Sequence, residues 1–213
     1  MIDVVIIGAG GFGRETLDVL EAVNQESSEL VYRILGVVDD LPSEVNLERL
    51  AARGYQHLGS IQQWCAHRSG DAFLPAVGDP ESRRSIVELI HQVPTLDLVV
   101  HPSVSIGSGL RAGGGSVICA QATISTNVVI GSFVHINPGV IIGHDVVIDD
   151  FVSVNPGAVI SGEVKLGSEV LVGAGSTILQ GLSVGERSVV GAAACVTKAI
   201  PAGVIAKGVP ATW

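Results

Sequence analysis

His144 and Asp145 stand side by side in "GVIIGHDVVIDDF", residues 139–151. An imidazole beside a carboxylate can accept a proton from an attacking nucleophile while the acid fixes its tautomer or steadies its charge. Eighteen positions on lies Gly162, which has no side chain to screen its backbone N–H. A general base and an open N–H donor facing one small gap is the arrangement acyl transfer needs. One serves the nucleophile, the other the carbonyl oxygen. The pairing works only if the fold stacks residues eighteen apart, so the surrounding elements decide its meaning.

They repeat. From Ile106 to Val196, steps of six meet an aliphatic residue or alanine sixteen times without a break. Such a period is foreign to an amphipathic helix, which needs 3.6. It fits one short strand and one corner per hexad, with three hexads closing a triangular coil of eighteen. "HINPGVIIGHDVVIDDF" and "SVNPGAVISGEVKLGSE" align at that offset. Glycine follows the phased residue at eight hexads, and these glycines are expected to help the chain turn its corners. Ile142 is an inward position, which places His144 and Asp145 in the next corner, pointing outward. The bland alternative is a solvated corner pair. His135 falls on the outer side of a strand, between inward Val134 and Ile136, and reads as structural. Asn137 lies at the adjacent corner with Asn155 one coil later, where it either pairs along the corner or meets a substrate.

Before the repeat, "DVVIIGAGGFGRETLDVLEAV" reads strand, glycine turn, helix. Gly8, Gly10 and Gly13 satisfy G-x-G-x-x-G, a turn that aims N–H groups and a helix N-terminus at a phosphate. "YRILGVVDD" ends a second strand at Asp39 and Asp40, placed for a ribose hydroxyl. "DAFLPAVGD" gives a third strand, followed by a helix. These roughly 95 residues make one mononucleotide half, which suggests a nucleotide-bearing ligand rather than NAD. The alternative is a tight turn with no ligand. The chain thus divides into an α/β Rossmann-like half domain, 1–97, and an all-β left-handed parallel β-helix, 98–213.

Composition agrees. With 47% apolar residues but 4% aromatics and 27 glycines, the core must be built from small aliphatic units. A net charge of −9 argues against nucleic acid as partner. Three scattered cysteines show no metal-ligand spacing and read as reduced, in the cytoplasm. The first residues carry neither the basic flank of a signal peptide nor a run long enough to span a membrane.

"IIGAGGFGRE", "VVDD", "AVGD", the hexads, "INPGVIIGHD" and "AKGVPA" together resemble the bacterial sialic acid O-acetyltransferase (NeuD-type) family. Its relatives include N-acetyltransferases of UDP-, dTDP- or GDP-linked 4-amino-4,6-dideoxy sugars. The resemblance implies acetyl-CoA as donor, no metal, and a homotrimer with active sites between neighbouring β-helices. It makes His144 the base, Asp145 its assistant and Gly162 the donor to the thioester carbonyl. Ala174 and Ala192 join Gly162 in the coenzyme set, and Asn137 lies near the acceptor amine. Gly10, Gly11, Phe12, Gly13, Asp39, Asp40 and Gly78 form the nucleotide-sugar set. Phe12 stands where many relatives have histidine, Asp145 where some have glutamate, and Ser153 where some carry a second histidine. The expected reaction is direct N-acetylation of a nucleotide-linked amino sugar in a ternary complex. The rivals are O-acetylation of a sialic or related acid, and a non-catalytic trimeric nucleotide-sugar scaffold.

Overall fold

The structure, a computed structural model, describes residues 1–67 and 69–213. Its first part runs β1 (Ile2–Ile7), α1 (Gly11–Glu26), β2 (Tyr32–Val38), α2 (Glu44–Ala51), α3 (Ile61–His67), β3 (Ala72–Pro75) and α4 (Pro80–Ile90). The strands pair in parallel in the order β2–β1–β3. Val4, Val5, Ile6 and Ile7 are all buried, as the continuous apolar run of a sheet covered on both sides requires. Ser43 caps α2 and Asp79 caps α4, each accepting an N–H of the first turn.

Thr95 still pairs with Phe73, while Val99 already pairs with Val117. The chain therefore passes from the small sheet into the solenoid over residues 95–99. There follow eighteen two-residue strands, β4 (Val99–Val100) to β21 (Ile205–Ala206), in three parallel sheets of seven, six and five strands. Call these faces one, two and three, in the order the chain visits them. All phased residues from Ile118 to Val196 are buried inside the prism. Their outward neighbours Val129, Val147 and Val159 are half-buried.

Two expectations need correction. The sixteen unbroken hexads amount to slightly more than five coils, whereas the solenoid has about six, because β4 precedes the phased run and β21 follows it. The end escaped the periodicity because the last coil is short: Val189 pairs with Ile205, sixteen residues on, where Leu171 pairs with Val189 at eighteen. The role given to the hexad glycines is also wrong. The left-handed corner residue comes three positions after the phased one, and it is often not glycine: Asn127, Asp145 and Glu163 have φ of 59°, 60° and 61°. The hexad glycines instead let coils stack closely. A Cβ on Gly143 would lie 2.5 Å from the Gly162 nitrogen.

The α/β unit docks on face one. α1 packs over the first coils, with Leu17 and Leu20 in one cluster with Val99, Val117 and Cys119. Arg83, fully buried, fastens the other side. Its guanidinium donates to the carbonyls of Val77 and Phe133 at 2.6 and 2.9 Å, to that of Phe151 at 2.7 Å and to Ser153 Oγ at 3.0 Å. Among the described residues no carboxylate forms an ion pair with it, and burial pushes its pKa down to about 9 against the pull of Asp79.

Candidate active site

His144 follows the strand β11 (Ile141–Ile142) on face two and precedes β12 (Val147–Ile148) on face three. Its side chain is 46% exposed and that of Asp145 48%. His144 Nδ1 lies 2.8 Å from Asp145 Oδ2. An ionised carboxylate only accepts, so Nδ1 carries the proton and Nε2 presents a lone pair. The bonds from His144 and from Asn127, in that order, hold the Asp145 carboxyl below the usual carboxylate range. Asn127 Nδ2 donates to Asp145 Oδ1 at 3.1 Å.

The ring lies over Gly162. A Cβ built there would stand 2.5 Å from His144 Nε2, so only glycine leaves the ring in place. The coil register explains this stacking: Ile142 pairs with Ile160, and the Glu163 N–H donates to the His144 carbonyl at 2.8 Å. Among the described residues no main-chain carbonyl accepts from the Gly162 N–H. Imidazole lone pair and free N–H thus share one open corner. A groove of about 610 Å³ runs beside it on face three, lined by Arg111, Asn127, Val129, Asp145 and Val147 among others.

Asn137 does not join this corner. It follows β10 (His135–Ile136) and turns from face one to face two, seven residues before His144, with the width of face two between them. It is buried, and its Nδ2 donates to the Val154 carbonyl at 2.9 Å. Ala174 and Ala192 stack on that same corner in later coils, both exposed, and apart from Gly162.

Around the glycine loop, the three motif glycines differ. Gly8 has a φ of 118°, and a Cβ on Gly13 would fall 1.9 Å from the Gly8 carbonyl oxygen. Those two serve the turn and the helix–strand contact. Gly10, Gly11 and Gly78 have open space where a Cβ would be, so a ligand can approach their backbone. Asp39 uses both oxygens on main-chain N–H groups, Ala9 at 2.8 Å and Leu41 at 2.9 Å, and so ties the loop to the end of β2. Asp40 Oδ1 accepts from Ile61 N–H at 2.7 Å, at the start of α3. Each carboxylate thus has a local structural task besides any sugar it meets. Arg14, Arg49 and Arg53 border a groove of about 470 Å³ beside Gly11. No sequence pattern marked Arg49 or Arg53, and Arg14 entered only as part of the glycine motif.

Phe12 points the other way, stacked on His135 with ring centroids 4.1 Å apart. His135 is fully buried between the two units. Its Nδ1 accepts from Arg83 at 3.1 Å, so Nε2–H donates to the Pro75 carbonyl at 2.9 Å. Burial first, and then the Arg83 charge, hold its pKa well below the usual value. Ser153 Oγ donates to the Gly78 carbonyl at 2.7 Å. Cys119 is also buried, and desolvation lifts its thiol to about 12, which removes it as a thiolate nucleophile near neutral pH. Among the described residues no group of three or more His, Cys, Asp or Glu is arranged to hold a metal, and no helix is long and apolar enough to cross a membrane.

Fold and corner together define a class: a hexapeptide-repeat parallel β-solenoid preceded by a short α/β unit. The comparisons with known proteins agree with it. Residues 3–90 match the family model of the PglD N-terminal domain. A GDP-perosamine N-acetyltransferase of Escherichia coli O157:H7 is 31% identical over 141 residues, 65% of this chain. That match spans 61% of the relative's length. The acetyltransferase domain of PglB from Neisseria gonorrhoeae, solved with acetyl coenzyme A, is 26% identical, with a TM-score of 0.82 over 99% of this chain and 98% of that one. PerB from Caulobacter crescentus, solved with CoA and GDP-perosamine, shares the fold at 24% identity, with a TM-score of 0.85 over 100% and 98% of the two chains.

Proposed function

We propose that the protein is an acetyl-CoA-dependent N-acetyltransferase acting on a nucleotide-linked 4-amino-4,6-dideoxy sugar. The observation that carries this is the His144 Nε2 lone pair poised over the open backbone of Gly162. Among the relatives named above, the GDP-perosamine N-acetyltransferase of Escherichia coli O157:H7 favours an amine over a sialic acid hydroxyl as acceptor.

In this reading His144 removes a proton as the amine nitrogen attacks the thioester carbonyl, and Asp145 steadies the resulting imidazolium. The Gly162 N–H donates to the oxygen as it gains negative charge. Collapse expels CoA thiolate, which takes the proton from His144. The nucleotide sugar occupies the crevice at Gly10, Gly11 and Gly78, beside Asp39 and Asp40, with its amine near Asn137; Phe12 and Gly13 shape the loop from its packed side. CoA lies along Gly162, Ala174 and Ala192.

These groups occupy two corners of one prism, on the order of 15–20 Å apart at ~3.3 Å per residue. A homotrimer resolves the separation. The corner with Asn137 and the alanines of one chain then faces the corner with His144 and Gly162 of the next, as three-fold packing allows. The half-buried outward valines supply apolar surface for such packing. Three unpaired cysteines support a cytoplasmic location.

The test is incubation with acetyl-CoA and GDP-, UDP- or dTDP-linked 4-amino sugars, following free CoA and product mass. An N-acetylated nucleotide sugar is expected. Acetylation of hydroxyl acceptors alone would move the assignment to O-acetylation, and no turnover with any acceptor would overturn it.

A further inference from the structure

We infer that Asn127 is a positioning residue for His144, acting through Asp145. The inference rests on the reading of His144 as the base. Its starting point is a chain of two hydrogen bonds across one corner. Asn127 Nδ2 donates to Asp145 Oδ1 at 3.1 Å, and Asp145 Oδ2 faces His144 Nδ1 at 2.8 Å. Asp145 is exposed, and two rotatable bonds, Cα–Cβ and Cβ–Cγ, set the direction and plane of its carboxyl group. Held only by its neighbour's imidazole, the carboxylate could turn to water, and Nδ1 would lose the acceptor that keeps its proton there. Asn127 pins the second oxygen and so fixes the plane of the first.

Its place in the fold makes Asn127 suited to this. It precedes Asp145 by eighteen residues, so the two corner residues stack in successive coils, both left-handed. Asparagine tolerates that conformation better than most residues. Below it, Gly109 is left-handed too, and a Cβ there would stand 2.8 Å from Asn127 Oδ1. The coil beneath thus leaves room for this amide. An aspartate at 127 would place two carboxylates face to face. The amide gives Asp145 a donor and adds no charge.

Asn127→Gly removes the donor while keeping the backbone, since glycine already serves the same corner position at Gly109 and Gly181. In the full-length protein, kcat should fall about tenfold, with KM for both substrates and the melting temperature nearly unchanged. In an Asp145→Asn background the same change should cost less than about twofold, because coupled residues do not add. Proton–nitrogen correlation spectra of the histidine rings, with His144 assigned from His144→Gln, give the decisive readout. The wild type should show the neutral ring protonated at Nδ1, and Asn127→Gly should shift it toward the Nε2–H form. An unchanged tautomer in Asn127→Gly would overturn the inference. A shifted tautomer in a protein that transfers no acetyl group would leave it standing and defeat the proposed function instead.

Discussion

His135 and His144 sit nine residues apart in one coil, the first within strand β10 and the second in the corner after β11, and the structure gives them opposite fates. His135 is covered by the α/β unit, with both ring nitrogens bonded and Phe12 against its face. His144 has one nitrogen bonded and the other open over Gly162. The residue type is the same. What differs is which face of the prism a second unit covers. A covered histidine becomes a neutral hydrogen-bonding joint, while an uncovered one with a carboxylate beside it keeps one ring nitrogen open to a ligand. The solenoid thus uses face one for docking and leaves the corner between faces two and three open, where the proposed chemistry would take place.

Breaking each side should give opposite symptoms. His144→Ala is expected to lower kcat by ~10²–10⁴. Its exposed site should leave denaturant stability within about 0.5 kcal/mol of wild type. Steady-state kinetics beside urea titration checks both. Arg83→Met should do the reverse. It orphans the carbonyls of Val77, Phe133 and Phe151, and a loss of about 3–5 kcal/mol in unfolding free energy is expected. Near-wild-type stability would show that the junction is not fastened through this guanidinium.

Gly162→Ala acts on the His144 corner by geometry alone. Its methyl must push the ring by about 1 Å, so kcat should drop about 10- to 100-fold with little change in stability. Calorimetry and kinetics on one preparation separate the two effects. The smallest expected effect is pH-dependent. The folded-state pKa of His135 lies below its ordinary 6.5, so the unfolded chain takes up a proton that the native one refuses. This contribution is complete above pH 6.5 and is lost as pH falls below it, with a slope of at most about 1.4 kcal/mol per pH unit. His135→Gln can still accept from Arg83 and donate to Pro75, but it does not titrate. Urea midpoints at two pH values should therefore converge more closely in this variant than in wild type.

Much of this contrast was legible in the sequence. A coil of fixed length turns sequence separation into contact, which is why His144 and Gly162 could be paired before any coordinates. The same subtraction of eighteen leads from Asp145 to Asn127, a partner the sequence reading did not seek. What periodicity does not carry is docking. Arg83 lies fifty residues before Phe133, in a helix with no repeat of its own, and nothing in its neighbours marks it for burial. The glycines misled for a related reason. Composition shows where a side chain is missing, but not whether φ or a neighbouring coil requires it. The short last coil escaped because a two-residue deletion breaks the phase from which coils are counted.

The claim that one reaction site is built from two chains is tested most directly by complementation. Gly11→Val places its side chain in open space, so it should block the nucleotide crevice without disturbing the fold. His144→Ala removes the base and leaves the crevice intact. Either variant alone should be nearly inactive. Co-expressed and purified as mixed trimers, they regenerate one intact site, from the crevice of one chain and the corner of its neighbour. The expected activity of a mixed trimer is about one-third of wild type. Activity no higher than the sum of the two separate variants would place crevice and base in the same chain and contradict the shared site.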